Sequence, residues 1–302
     1  MSVIKIYLFL LVFLVPVSFP FLTQANEGEY EVNLSLTMLN EENINRGFFE
    51  NDVHDDQRSQ FVAGLRSEIE IDNLSAFFIS VNYMNESYSE FDKLSSNRVL
   101  GRIDYIFQTG LRFTHPSYTL SLEIEEGDYD SELRDSTTLM ATAKLLKRFT
   151  TRIKVSTGLS YSNREADTNV FDIDTKRIFA LLDYTVAPKI SLYASYAFQD
   201  GASVSTITTT DPDLLAQQVG YATINEADAA GALLPDDAFG GVVAGQFAYQ
   251  NQAETSIGEV GVNYSFNSHH AFDVSVQSVT TKLDTGLDYD NYLIAVSYLG
   301  RF

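Results

Sequence analysis

Charged side chains recur inside segments that otherwise alternate apolar and polar residues. Arg66, Glu68 and Glu70 occupy every second position of one such segment, and Arg98, Arg102 and Asp104 punctuate another. Glu123, Glu125, Lys144, Arg152, Lys154, Arg177, Asp183, Glu259 and Asp273 hold equivalent places further along. Side chains two apart on an extended strand share a face, so these acids and bases converge on one surface. If that surface lines a hollow, basic and acidic walls set up a transverse field that filters small hydrophilic solutes. The residues expected to line it are Arg66, Glu68, Arg98, Arg102, Asp104, Glu123, Lys144, Arg152, Lys154, Arg177 and Glu259. The competing expectation is a space knitted shut, with Arg98 and Arg102 paired to Glu123 and Glu125 and with Lys144 and Lys154 finding neighbours of their own. Lys144, Arg152 and Lys154 form a basic group on adjacent segments that suits an anionic sugar or another acid.

Catalysis has less to work with. The four histidines are His54, His115, His269 and His270, and the last three fall in expected tight turns. No Ser stands in a nucleophile motif, and no His/Asp spacing matches a zinc or calcium site. Cys is absent, which removes thiol catalysis, Cys-based zinc sites and a disulfide framework. No enzyme activity, metal or cofactor is expected.

The elements that must position the charges are strands. The chain has 302 residues, 45% hydrophobic and 20% charged, with 21 Phe, 17 Tyr, no Trp and only 6 Pro. That balance favours strands over helices. With 20 Lys and Arg against 41 Asp and Glu, the net charge of −21 argues against a nucleic-acid partner. Beyond position 25 no apolar run reaches eighteen residues, so the chain does not cross a bilayer as helices. The first 25 residues carry Lys5, the apolar run Ile6 to Val15 and the small-residue close Thr23-Gln24-Ala25, the pattern of a secretory leader cut after Ala25. Residues 26–302 then form a single domain.

Twelve stretches show period-two alternation. They begin with Tyr30, Val32, Leu34, Leu36 and Met38 and run through Ile190, Leu192, Ala194, Tyr196 and Phe198 to Tyr292, Ile294, Val296 and Tyr298. Short links alternate with longer acidic ones at about 40–60, 85–97, 126–136, 163–175, 200–254 and 281–290, as in an up-and-down meander. Within the longest, Leu214 to Ala232 is rich in Ala, Leu and Gln and is expected to form a short helix or fold into the mouth. Apolar stripes of roughly nine to eleven residues match tilted membrane strands, with the polar face turned to an interior. Tyr83, Tyr105, Tyr118, Tyr161, Tyr184, Phe198, Tyr264 and Tyr292 are placed to form interfacial girdles. The fold expected is all-β: a transmembrane up-and-down antiparallel β-barrel of about 12 strands.

The last eleven residues, YLIAVSYLGRF, end on Phe302 with Tyr298, Val296, Ile294 and Tyr292 at alternate positions before it. This segment resembles the C-terminal strand of bacterial outer-membrane β-barrel proteins, and Gly300 departs from its bulky alternation. The resemblance implies that Tyr298 and Phe302 form the signal read by the barrel-assembly machinery. It also implies a bacterial outer-membrane location, export by a cleaved signal peptide, both termini at the periplasmic rim and the long links outside. Leu181 to Asp200, LLDYTVAPKISLYASYAFQD, is similar to hairpins of uncharacterised β-barrel porins, some associated with exopolysaccharide systems. A monomeric porin-like channel for small hydrophilic or saccharide solutes follows. The alternatives are a non-conducting structural or adhesive barrel acting through its long acidic 200–254 loop, and an outer-membrane hydrolase. For the hydrolase, His54-Asp55-Asp56 resembles the acidic, His-bearing mouth of outer-membrane proteases, although a solvated loop accounts for it more simply. Expected partners are outer-membrane lipid and lipopolysaccharide; carboxylates such as Asp128, Asp130, Asp288 and Asp290 either bridge to the latter through divalent cations or, more simply, keep the loops solvated.

Overall fold

The computed structural model describes residues 30–47, 52–209, 211, 213, 216–217, 222–230 and 232–302. The expected leader lies outside the described residues. The strands are β1 (Tyr30–Glu41), β2 (Asp56–Asp72), β3 (Ser75–Tyr88), β4 (Ser96–Gln108), β5 (Ser117–Tyr129), β6 (Ser136–Arg148) and β7 (Ile153–Ala166). They continue with β8 (Ile173–Ala187), β9 (Ile190–Thr208), β10 (Leu233–Pro235), β11 (Gln246–Ser265), β12 (His270–Leu283) and β13 (Asp288–Arg301). All but β10 join into one closed antiparallel ring of twelve, in which β9 pairs directly with β11 and β13 returns to β1. Each of the twelve alternating stretches lies on one ring strand. The three-residue β10, which no periodicity announced, pairs with the outer part of β11 through Leu233 opposite Tyr249.

The closing seam runs to the last residue. Leu36 faces Tyr298 across it, and below that pair Val32 and Phe302 exchange backbone hydrogen bonds of 2.7 and 2.8 Å. Every wall strand therefore has a partner on both sides, which lets a sheet sit in hydrocarbon without orphaned amides. Side chains follow the alternation. On β9, Leu192, Ala194 and Tyr196 are exposed on the outside, while Tyr193, Ser195 and Ala197 turn inward. Leu122 is 67% exposed, Leu159 61% and Val260 60%, and the inward neighbours of such residues are Ser, Thr, Asn and charged side chains. A soluble sandwich would bury these leucines and valines. No described helix is long and apolar enough to cross a membrane, so the crossing surface is this outer wall.

Aromatic rings mark two levels of that wall. Toward the short-turn rim, Phe77 contacts Tyr105 at 5.1 Å, Phe107 contacts Tyr118 at 5.0 Å, and Tyr264, Phe266, Phe272 and Tyr298 make a continuous chain of ring contacts. Higher up, the hydroxyls of Tyr83, Tyr161 and Tyr196 donate to Asn97, Asp174 and Ser256. Tyr161 pairs with Lys176 and Ile153 with Tyr184, which separates the two levels by eight residues of β7. Eight residues rise about 26 Å along a strand, or about 20 Å along the axis at a tilt of about 40°. That matches the apolar band of a membrane barrel.

The short links hold the rim that also receives both ends of the wall, and the long links hold the other. The longest is shorter than expected, because β9 continues to Thr208 and β11 starts at Gln246, leaving 209–245 as the connection. A short α-helix, α1 (Ile224–Ala229), forms within it. Replacing Leu192 with Arg on the lipid face should destabilise the folded barrel by about 2–4 kcal/mol if the side chain lies at the bilayer midplane. Urea unfolding in lipid vesicles measures this, and an unchanged midpoint would contradict the inside-out polarity.

Candidate functional site: the charged lumen and its mouth

Inward side chains of β1 to β5 build an alternating ladder of charge near the outer rim. Arg58 Nη2 lies 3.6 Å from Glu41, Arg58 Nη1 2.9 Å from Glu86, Arg98 Nη2 3.0 Å from the same Glu86, and Arg98 Nη1 3.5 Å from Glu125. Asn291 extends it to β13 by donating to Glu41 at 2.7 Å. Glu41 and Glu86 each sit between two donors, so six strands, β13 and β1 to β5, are tied across the inner wall. Removing one member would leave a largely desolvated charge without its partner.

Lower down, Arg102 is neutralised on three sides. Its Nε donates to Asp104 at 2.8 Å, Nη1 to Glu123 at 3.4 Å and Nη2 to Ser121 at 3.1 Å. Lys154 pairs with Asp183 at 3.0 Å, and Arg66 lies 4.0 Å over the Phe78 ring. Among the described residues Arg66, Lys144 and Arg177 form no ion pair with a carboxylate. Across the lumen, Glu259 accepts from Ser195 at 3.3 Å and Asp273 from Tyr193 at 2.8 Å. Tyr193 fits flat against the wall because its ring crosses Gly261, where a Cβ would collide with it. The inner wall therefore carries charges of both signs along β2 to β8 and only the acids Glu259 and Asp273 are placed along β11 and β12.

The pairing expected from the sequence forms in part. Arg98 pairs with Glu125, Arg102 with Glu123, and Lys154 with Asp183, whereas Lys144 stays free of such a partner. Glu68 lies on the same face of β2 as Arg66. Arg152 is a correction: it sits exposed in the 149–152 turn and does not join Lys144 and Lys154. The Thr150 hydroxyl accepts the backbone N–H groups of Arg152 and Ile153 at 3.1 and 3.0 Å, a side-chain turn that starts β7 one residue later. Arg58, Glu41 and Glu86 escaped the sequence reading because they lie above the apolar stripe that marked the strands. Their parity with Arg66 and Asn82 was the available signal.

The outer mouth is covered. Beyond Gly201, residues 202–207 of β9 are buried, as are 246–249 of β11, although a hairpin standing in solvent would be exposed. Gly201 has φ +150°, and a Cβ there would overlap the Asp174 carbonyl, so the chain bends where only glycine fits. From that bend the hairpin leans across the opening. Val204, Leu234 and Ala248 bury against Val170 and Phe171 of the β7–β8 link, and Ile207, Leu233, Phe247 and Tyr249 form a second cluster with Ala216 and Ala227. Asn45 of the β1–β2 link donates to Thr206 O at 2.9 Å and its carbonyl accepts from Thr206 N at 2.8 Å.

A bidentate ion pair fastens this cover to the β5–β6 link. Arg134 Nη1 and Nη2 each lie 2.8 Å from an Asp236 oxygen, and the Asp236 side chain is completely buried. Thr206 Oγ1 and the Ala238 amide also donate to that carboxylate, and Arg134 stacks 4.2 Å over Phe171. Next door, Asp237 accepts from Lys93 Nζ at 2.8 Å and from Ser131 at 2.6 Å. His54 packs between Phe91 and Phe239 at 5.3 and 5.8 Å, and Asp56 accepts the amides of Gln57, Glu90 and Phe91. His54 and Asp56 are thus packed into the mouth, while Asp55 between them is exposed. Among the described residues no group of three potential metal ligands forms.

No family model matches the sequence, and no curated protein matches it. Solved structures do. An outer-membrane channel from Pseudomonas putida F1 superposes with a TM-score of 0.54 at 11% identity, over 92% of this chain and 97% of that one. The fold is that of a bacterial outer-membrane β-barrel. The NanC porin follows at TM-score 0.45 and 8% identity, covering 88% of this chain and 98% of its own. The translocator domain of the autotransporter NalP from Neisseria meningitidis gives 0.41 at 10% identity, over 97% and 95%. At such identities the shared property is the fold, and the outer-membrane barrel defined above carries its own lumen and mouth.

Two outcomes follow for the cover. The protein has no native Cys, so a nitroxide on Val243→Cys, a fully exposed position, reports its mobility. Adding Asp236→Ala strands the buried Arg134 charge and should loosen the cover by about 3–5 kcal/mol, seen as a more mobile label at neutral pH. For Asp237, burial alone would raise the carboxyl pKa, but hydrogen bonds from Lys93 and Ser131 outweigh it and hold it below the usual 3.8. The hydrogen bond and charge of Asp237 in turn raise Lys93 above 10.5. A depressed acid stabilises above its ordinary pKa and loses that contribution as pH falls through the depressed one. A raised lysine loses its contribution as pH rises through the raised value. Label mobility should stay flat from roughly pH 5 to 10 and increase in stronger acid.

Proposed function

We propose that the protein is an outer-membrane channel for small hydrophilic solutes, gated at its outer mouth by the folded-in β9–β11 hairpin and the 209–245 segment. The single observation that carries this reading is the lumen below the cover, polar, partly solvent-exposed and lined by charged residues of both signs. A barrel filled only for stability would pair all its charges. Among the described residues Arg66, Lys144 and Arg177 make no ion pair with a carboxylate, and side chains such as Lys154 remain 39% exposed inside the ring. The protein reaches the membrane by an exported route and is inserted by the assembly machinery through Tyr298 and Phe302. These two residues frame the closing seam: Tyr298 Oη lies 2.8 Å from His270 Nδ1, and the Phe302 ring meets His270 edge-on at 5.5 Å. Saccharides are among the solutes that a lumen lined with Ser, Thr and Asn accommodates, and no catalytic step is assigned to the chain.

The covered mouth favours a second reading, a non-conducting barrel that acts through its outer face. One experiment separates the two. Full-length protein in planar bilayers should give discrete conductance steps, and deletion of residues 209–245 should raise their amplitude or frequency. The absence of steps from both proteins would remove the channel reading and leave the structural one.

A further inference from the structure

Part of the short-turn rim is cationic on an acidic chain. Residues 105–122, 136–164 and 184–199 contain no Asp or Glu, although the protein carries a net charge of −21. These stretches include the β4–β5, β6–β7 and β8–β9 turns, so three successive short links lack acids. The middle one holds Lys147, Arg148 and Arg152, and its neighbours hold Arg112 and Lys189. Among the described residues none of these five cations makes an ion pair. Arg148 stands opposite Lys154, and the acid next along, Asp183, is taken up by Lys154 at 3.0 Å. Asp72, two turns away from Lys147 along the rim, accepts the Leu74 amide at 2.8 Å.

Apolar side chains stand among the cations. Leu111 is 76% exposed, Phe149 57% and Phe113 51%. Arg148 lies 5.4 Å over the Phe113 ring and so joins the β4–β5 and β6–β7 turns, while Lys147 lies 5.9 Å from the Phe149 ring. Register fixes the depth of this group. Tyr118, stacked on Phe107 in the lower aromatic level, faces Leu145, and Lys147 is the next residue on the same outward face of β6. Two residues rise about 6–7 Å along a strand, which puts the Lys147 ammonium just beyond the aromatic level, at the depth of lipid headgroups. A soluble partner approaching from the aqueous side would not meet the outward wall that bears Lys147, whereas a lipid phosphate lies level with it.

We propose that Lys147 and Arg148, framed by Leu111, Phe113 and Phe149, bind the headgroup phosphate of an anionic glycerophospholipid in the inner leaflet of the outer membrane. The two cations meet the phosphate, and the exposed rings and the wall below Tyr118 lie against the upper acyl chains. The site rests on the outer-membrane barrel and its orientation, and it is independent of the channel reading.

The protein has no Trp, so Phe149→Trp supplies a single reporter beside the cations. Phe272→Trp supplies one near the same rim on β12, where Phe272 faces Tyr298 and the patch is absent. Each full-length variant is reconstituted at neutral pH in phosphatidylcholine vesicles containing phosphatidylglycerol, with bromine on the acyl chains of one lipid or the other. Brominated phosphatidylglycerol should quench the Phe149→Trp emission beyond its share of the bilayer, with a preference of about five-fold for each cation. Raised salt should weaken that preference, and Phe272→Trp should show none. Adding Lys147→Gln and Arg148→Gln to the Phe149→Trp protein should bring quenching back to the lipid's share, whereas Lys147→Arg should keep the preference. The heat-modifiable gel shift of each variant shows that its barrel is folded. Equal quenching by the two lipids at Phe149→Trp, a preference that survives loss of both cations, or the same preference at Phe272→Trp overturns the site. Bilayer conductance bears on the channel alone, so the two readings fail separately.

Discussion

In hydrocarbon every backbone N–H and C=O without a partner costs several kcal/mol, and no water is present to relieve it. The ring of twelve strands satisfies that demand by pairing β13 back onto β1 as far as Phe302 and Val32. Once the sheet is closed, its two faces meet different solvents. Leucine, valine and isoleucine go outward, and the wettable residues are forced around a hollow. Charge follows from the same closure, because an Arg or Glu on a wall strand has nowhere to go except inside.

The molecule consequently stabilises itself in two unlike ways. Along the wall, interstrand hydrogen bonds and the Glu41–Arg58–Glu86–Arg98–Glu125 ladder bind neighbours to one another. At the outer mouth the physics is that of a soluble protein, with Val170, Phe171, Leu233, Leu234 and Phe247 withdrawn from water. Burying each such side chain is worth about 1.5–3 kcal/mol, enough to fold a polar hairpin over the opening. Arg134 and Asp236 add direction more than strength, since a buried ion pair returns little beyond its own desolvation. The cover is held by contacts that are separate from those of the wall.

Much of this is legible in the sequence. All twelve wall strands were visible from alternation, because period two records which side of a strand meets oil. The facing of Arg66, Arg98, Arg102, Lys144 and Arg177 followed from the same parity. Pairing was partly readable too: Arg102 and Glu123 sit on consecutive strands joined by a hairpin, so their register is local. Arg152 was misplaced because a turn set by the Thr150 hydroxyl ends the alternation one residue earlier than parity implies.

The mouth was not legible. Arg134 and Asp236 are 102 positions apart, and Asn45 and Thr206 are 161 apart. No local pattern links such residues, and β10 is too short to show a period. The alternation of side chains along the chain settled that there would be a barrel, which way its faces turn and which charges enter its lumen, since each depends only on neighbours two residues away. Whether the opening is covered depended on distant segments meeting in space, and tertiary packing alone brings those together.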